Sequence, residues 1–247
     1  MKTIHFYLDF ISPYAWLAFD ALPQTLQGIS CRVVHKPVVF GAMLMHHGQL
    51  GPAEIPAKRD WTYRQVQWQA RAQGTPLQLP ASHPFSSLGL LRLATACDAA
   101  GEPNRWVCEK IFRHVWCSGL EAADAPRLAA LTADLAPPKD PTSADVKQAL
   151  KRNTDEALAL NLFGVPSFVV DGQVFWGNDA LPMLRDCLAG GEWFNGPDWD
   201  AAAQRPSDWT VRPSGLSTQP SSCAGAAAVR PCGCRRGRTR AGTTPRR

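Results

Sequence analysis

The residues best placed to do chemistry stand near the start of the chain, in Asp9-Phe10-Ile11-Ser12-Pro13-Tyr14-Ala15-Trp16. A short β-prone run precedes them and a helical pattern follows, so Ser12 sits where a strand turns into a helix. A serine there caps the first turn. Pro13 behind it suits the first helical position, where a missing N–H is no loss. The same corner offers free backbone N–H groups and the positive end of the helix dipole, which favour an anion. Capping the helix and holding an anion are compatible tasks for one hydroxyl. A second polar pair, Asn178-Asp179, stands at another candidate helix start. The adjacent histidines His46 and His47 have no carboxylate or cysteine at metal-ligand spacing, so no metal site is expected.

The elements that must position these groups follow from the apolar pattern. Residues 3–8 alternate and are β-prone, 14–26 have helical spacing, and 29–35 are β-rich again. That βαβ start implies a parallel pair with a right-handed crossover. From Arg59 to about Leu160 the patterns are mostly helical, with Trp61, Arg64, Gln65 and Trp68 on one face and a long helix expected over 143–160. Residues 167–171 and 173–176 then flank Asp171-Gly172, a tight hairpin signal, and Asn178 or Asp179 can cap a last helix running through Leu188. The fold class is therefore α/β, a thioredoxin-like βαβ…ββα domain (1–40 and 162–195) with an inserted helical domain (41–161). Pro166 falls just before the first hairpin strand, where that layout places a cis proline.

Composition narrows the function classes. The chain has 247 residues and is 45% hydrophobic, enough for a large core, and no apolar run approaches the length of a membrane span. The opening residues lack the apolar core of a signal peptide, so the expected location is cytoplasmic. The net charge of +5 is misleading, because residues 211–247 hold eight arginines and no acid. Residues 1–210 carry 18 basic against 21 acidic side chains, which argues against nucleic acid as a partner. The basic tail, 211–247, has too little apolar content to offset its ordering entropy and is expected to be disordered. Its abrupt composition is also what a shifted reading frame or spurious extension leaves. Cys31, Cys97, Cys108, Cys117 and Cys187 are scattered singly and form no C-x-x-C pair, as expected of reduced thiols.

Five segments, Asp9-Phe10-x-Ser12-Pro13-Tyr14, Pro56-Ala57-Lys58-Arg59, His83-Pro84-Phe85, Gly164-Val165-Pro166-Ser167-Phe168 and Phe175-Trp176-Gly177-Asn178-Asp179, occur in order, and the likeness they carry runs over about residues 2–193. Together they resemble the 2-hydroxychromene-2-carboxylate isomerases, a DsbA-like family akin to kappa-class glutathione transferases. Disulfide-exchanging relatives carry C-x-x-C at the first corner; here the two positions hold Ser12 and Ala15, which cannot exchange a disulfide. The resemblance implies that the sulfur comes with glutathione as cofactor, its thiol near Ser12, Pro13 and Tyr14. The Ser12 hydroxyl and nearby N–H groups would stabilise the thiolate. Reversible addition of that thiolate to an aromatic substrate and bond rotation would then isomerise it without redox change.

By the same resemblance, Val165 offers backbone groups to the cysteinyl unit, Pro166 shapes that edge, and Asn178 and Asp179 meet the γ-glutamyl end. Tyr14 and Trp16 would wall the substrate, and the working form would be a homodimer. The chain departs from the family at Met45-His46-His47-Gly48-Gln49-Leu50-Gly51-Pro52, where relatives often carry a lysine followed by T-G-N. Gln49 can replace an amide gripping glutathione, while His46, His47, Lys36 or Lys58 would have to supply the lost cation. Two other readings use the same scaffold: a kappa-type transferase or peroxidase, and a non-catalytic binding protein.

Overall fold

A computed structural model describes residues 1–204; the basic tail expected over 211–247 lies outside the described residues. The chain opens with β1 (Lys2–Leu8), α1 (Pro13–Thr25) and β2 (Cys31–Pro37). Five helices follow: α2 (Phe40–His46), α3 (Pro56–Gln73), α4 (Leu88–Ala96), α5 (Arg105–Trp116) and α6 (Ala125–Leu135). Then come α7 (Ala144–Ala159), β3 (Ser167–Val170), β4 (Gln173–Trp176), α8 (Leu181–Leu188) and α9 (Pro197–Ala203). The strands make one sheet in the order β2-β1-β3-β4, with β1 and β2 parallel and the other pairs antiparallel. This is the expected thioredoxin-like α/β fold.

Strand alternation decides which helices cover which face. Ile4, Phe6 and Leu8 of β1, with Phe168 and Phe175, pack on Ala15, Trp16, Phe19 and Leu22 of α1 and on α4, α5 and α8. Tyr7, Val165 and Val169 face the other way and meet Met43 of α2 and Ala157 of α7. The helices between β2 and β3 share these cores with the sheet, and Met1–Ala203 form one compact unit.

Three expectations shift. β2 runs to Pro37 rather than ending at His35, because it is an edge strand, where a missing N–H breaks no ladder bond. On α3 the face bearing Trp61 and Trp68 is the exposed one, while Thr62, Val66 and Ala70 are buried. Small side chains let α3 approach Leu17 of α1 closely, and bulky indoles would hold the two helices apart. Finally, neither Asn178 nor Asp179 caps the last helix. A 3-10 turn, Asn178–Ala180, comes first, and α8 begins after it with Pro182 in its first turn. The Asp171-Gly172 turn is as expected, with φ of 50° and 84°, the positive pair a two-residue hairpin requires.

Candidate active site

The corner between β1 and α1 is fixed from three directions. The buried Asp9 carboxylate accepts from Ile11 N (3.1 Å) and Phe40 N (3.0 Å), tying the turn to the start of α2. Burial pushes its pKa up, against the lowering effect of these bonds and of the Ser87 hydroxyl. Trp116 Nε1 donates to Phe10 O at 2.9 Å, and His83 Nε2 lies 2.9 Å from Ile11 O. Since a carbonyl only accepts, Nε2 carries the His83 proton. Burial holds the imidazole pKa down, which leaves Nδ1 as acceptor 2.8 Å from the Tyr63 hydroxyl.

Ser12, held by this frame, is the N-cap of α1 and 7% exposed. Its Oγ accepts from Ala15 N (3.2 Å) and donates to Val165 O (3.2 Å). The first-turn accounting is short: Pro13 has no N–H, Ala15 N–H serves Ser12 Oγ, and Trp16 N–H bonds Ser12 O. Tyr14 N–H has no acceptor among the described residues and stands at the positive end of the helix. Across from it, Val165 N–H has no acceptor among the described residues. The Val165–Pro166 bond is cis, and Pro166 O accepts from Gly177 N at 2.9 Å. That bond brings the 178–180 turn to the same corner. Asn178 is 6% exposed and its Oδ1 has no partner among the described residues, while Asp179 is exposed and near enough to Tyr14 to raise its hydroxyl pKa, a lesser cause than burial. Gly177 sits at φ 100°, where any other residue is strained, and a Cβ there would push the exposed Asp179 carboxylate aside.

The structure thus joins Ser12, Pro13, Tyr14, Val165, Pro166, Asn178 and Asp179. It separates others. Trp16 is fully buried, its Nε1 donating to Pro76 O and its ring packed on Phe19 and Phe112, so it is core and has no surface for a substrate. Lys36 cannot replace the missing family lysine, because its ammonium is buried against Glu156 (2.7 Å) and Glu102 (3.6 Å) on the sheet face that Tyr7 lines. His47 spends Nε2 on Leu162 O (3.1 Å), steadying the loop that leads to Val165. Gln49 and Lys58 are exposed, with no side-chain hydrogen bond or ion pair among the described residues. Val165 O, expected to meet the ligand, already accepts from Ser12. The sequence reading missed Tyr63, Trp116 and Gln65, whose Oε1 accepts the Tyr14 hydroxyl at 2.7 Å. Nothing in their local pattern marks them, since each acts on a partner well outside its own element, 20 residues away for Tyr63, 51 for Gln65 and 106 for Trp116.

The five described cysteines are unpaired, and burial raises the thiol pKa of each, Cys97 to about 11, so none is an activated thiolate. Among the described residues no three His, Cys, Asp or Glu side chains cluster as metal ligands, and no helix is long and apolar enough to cross a membrane. Fold and corner together define a thioredoxin-type protein with a capping serine and no cysteine at the head of α1. The chain belongs to the DSBA-like thioredoxin domain family, whose model it matches over residues 3–189. It is similar to a 2-hydroxychromene-2-carboxylate isomerase of Sphingobium xenophagum, 27% identical over 76% of this chain and 98% of that one. It is also similar to glutathione S-transferase kappa 2 of Caenorhabditis elegans, 28% identical over 79% and 95%. A solved 2-hydroxychromene-2-carboxylate isomerase shares the fold with a TM-score of 0.66 at 22% identity, covering 78% of this chain and 97% of that one.

Proposed function

We propose that the chain is a glutathione-dependent isomerase of 2-hydroxychromene-2-carboxylate or a similar intermediate of aromatic-compound catabolism, acting in the cytoplasm. The observation that carries this reading is the Ser12 hydroxyl, buried at the head of α1 beside the open Tyr14 N–H, at a corner without cysteine. The open groups suit glutathione. Val165 N–H can pair with its extended backbone, and Asn178 Oδ1 lacks a donor that the γ-glutamyl ammonium provides. Asp179, with no ion pair among the described residues, suits the same ammonium. Unpaired cysteines fit a reducing compartment.

Bound glutathione supplies a thiolate able to add reversibly to a conjugated system and so free a double bond to rotate. The chain's own part is to hold negative charge at sulfur. Tyr14 N–H and the α1 dipole face it, and the Ser12 O–H turns from Val165 O toward the anion, a stronger acceptor than a carbonyl. With Trp16 buried, Tyr14 is the aromatic surface left for substrate, half-exposed and anchored through Gln65. Lys58, one turn before the Thr62 hydroxyl that reaches Tyr14, is the cation we assign to the substrate carboxylate.

Titration of glutathione against the chain, followed by thiolate absorbance, tests the mechanism. The wild type should depress the bound thiol's pKa and Ser12→Ala should not; no binding, or equal depression in both, overturns it. The kappa transferase relative favours a second reading, in which the same corner passes the thiolate to an electrophile and consumes it. An electrophilic acceptor turned over faster than the chromene acid would select that one. Glutathione at millimolar concentration that leaves the melting temperature unmoved would instead favour a scaffold without catalysis.

A further inference from the structure

At the end of α1 away from Ser12, a cavity of about 340 Å³ opens between the last turn of that helix, β2 and the start of α5. Its apolar wall includes Leu22 and Val33, and its polar wall holds Arg32, His35, Glu102 and Arg105. Among the described residues, one of these side chains lacks a hydrogen-bond partner and another lacks an ion pair. His35 is 5% exposed and packed between Phe6 and Phe19. Burial, ahead of the nearby Arg105 charge, brings the imidazole pKa down to about 4 against a weaker opposing pull from Pro103 O, so the ring is neutral and Nε2 is open to a proton donor. No donor reaches that atom among the described residues.

Arg105, the first residue of α5, is half-buried. Its Nη1 donates to Phe19 O at 3.0 Å and the guanidinium lies 4.1 Å over the Phe19 ring, yet no carboxylate comes within ion-pair distance among the described residues. Burial lowers its pKa, against the opposing pull of the more distant Glu109 and Asp20 carboxylates. Arg32 is exposed and likewise without an ion pair among the described residues. The one carboxylate on the wall, Glu102, lies 3.6 Å from Lys36 Nζ. Asn104 caps α5 by accepting from Val107 N, which leaves the N–H groups of Arg105 and Trp106 at the helix head without intrahelical partners.

We propose that this cavity is a second ligand site, for a small hydroxylated carboxylic acid with an apolar or aromatic frame. The carboxylate meets Arg105, Arg32 and the head of α5, the hydroxyl donates to His35 Nε2, and the frame lies on Leu22 and Val33. An anion without a hydroxyl leaves His35 bare, and a neutral phenol leaves both guanidinium groups bare. The site is separate from the Ser12 corner and does not depend on what that corner binds.

Calorimetric titration of the full chain with 3-hydroxybenzoate, benzoate and phenol tests this. The hydroxy acid should bind about five- to tenfold more tightly than benzoate, the worth of one net hydrogen bond, and phenol should show no measurable binding at about 10 mM. His35→Phe should erase the difference between the two acids, and Arg105→Gln should weaken both by about tenfold or more. Arg32→Ala, an exposed change that spares the core, should weaken both by about threefold and serves if His35→Phe does not fold. Saturating glutathione and Ser12→Ala should leave all affinities unchanged. The proposal is overturned if neither acid binds, if both keep their affinity in Arg32→Ala or Arg105→Gln, or if the preference survives in His35→Phe. Displacement by glutathione also overturns it, placing the acid at the Ser12 corner.

Discussion

Two polar clusters flank the same strand and differ in how completely they satisfy themselves. On the sheet face covered by α7, Tyr7 donates to Glu156 Oε1 (2.8 Å), and Lys36 Nζ donates to both Glu156 oxygens (2.9 and 2.7 Å) with Glu102 beyond. The ammonium and both Glu156 oxygens are bonded there, although the neighbouring His5 Nδ1 has no partner among the described residues. At the Ser12 corner, Tyr14 N–H, Val165 N–H and Asn178 Oδ1 have none among the described residues. Buried polar groups are normally paired, so the open set marks where a ligand completes the structure and the closed set marks structure alone. A buried lysine with two carboxylates invites a catalytic reading, but its saturation argues the opposite.

The largest expected effect comes from closing the open cluster's centre. Ser12→Ala removes a donor aimed at developing negative charge and should lower kcat/KM by about 100-fold. It also removes a cap, worth about 1 kcal/mol, or about 2–4 °C in melting temperature for a domain of this size. Activity that survives while stability falls would reduce Ser12 to a cap and break the contrast.

Lys36→Met should do the reverse, costing about 2 kcal/mol of stability while the folded protein keeps its activity, since Glu156 is 43% exposed and water can partly replace the lysine. The pH dependence follows from Glu156. Burial pushes its pKa up, but the Lys36 and Tyr7 hydrogen bonds outweigh that and hold it below 4.5. Its contribution is therefore complete above pH 4.5 and is lost as pH falls through the lower folded value. Melting curves of wild type and Lys36→Met should converge below that pH. A variant that keeps its melting temperature and loses activity near neutrality would make the closed cluster catalytic.

Asn178→Ala sharpens the contrast from the ligand side. Its Oδ1 makes no internal bond, so its loss should weaken glutathione binding by about tenfold with melting temperature unchanged or slightly raised. A clear drop in stability with unchanged affinity would place Asn178 in the closed class.

What could be read in the sequence was local. Ser12-Pro13 at a strand-to-helix corner and Asp171-Gly172 between two β-prone runs each carry their geometry in adjacent residues, and both stand as expected. The long helix over 144–159 announced itself by period. What failed depended on partners distant in sequence. Trp16 as a substrate wall and Lys36 as a free cation were chemically reasonable until Pro76 and Glu156 arrived from across the chain. Trp61 and Trp68 show a one-faced pattern whose outward orientation follows from the small residues that α3 needs against α1. Of the groups left open at the corner, the free N–H at the head of α1 was legible from Ser12-Pro13, whereas the burial that leaves Asn178 Oδ1 without a partner among the described residues depends on the fold around it.

The smallest effect tests how rigidly the open corner is held. Tyr63 meets no expected ligand atom; its hydroxyl lies 2.8 Å from His83 Nδ1 and 3.0 Å from His83 O, and His83 in turn holds Ile11 O, one residue before Ser12. Tyr63→Phe strips the imidazole of that partner but leaves the Nε2–H bond to Ile11, while Trp116 and Asp9 still fix the neighbouring residues. Three restraints acting in parallel should lose little when one is loosened. We expect kcat to fall about two- to fivefold, with glutathione affinity unchanged and melting temperature lower by about 2–4 °C. A loss of activity as deep as that of Ser12→Ala would show that the corner's position, and not its open groups, is the scarce quantity. Weakened glutathione binding would show that the strain reaches Val165 and Asn178, which share no hydrogen bond with Tyr63 and should not feel it.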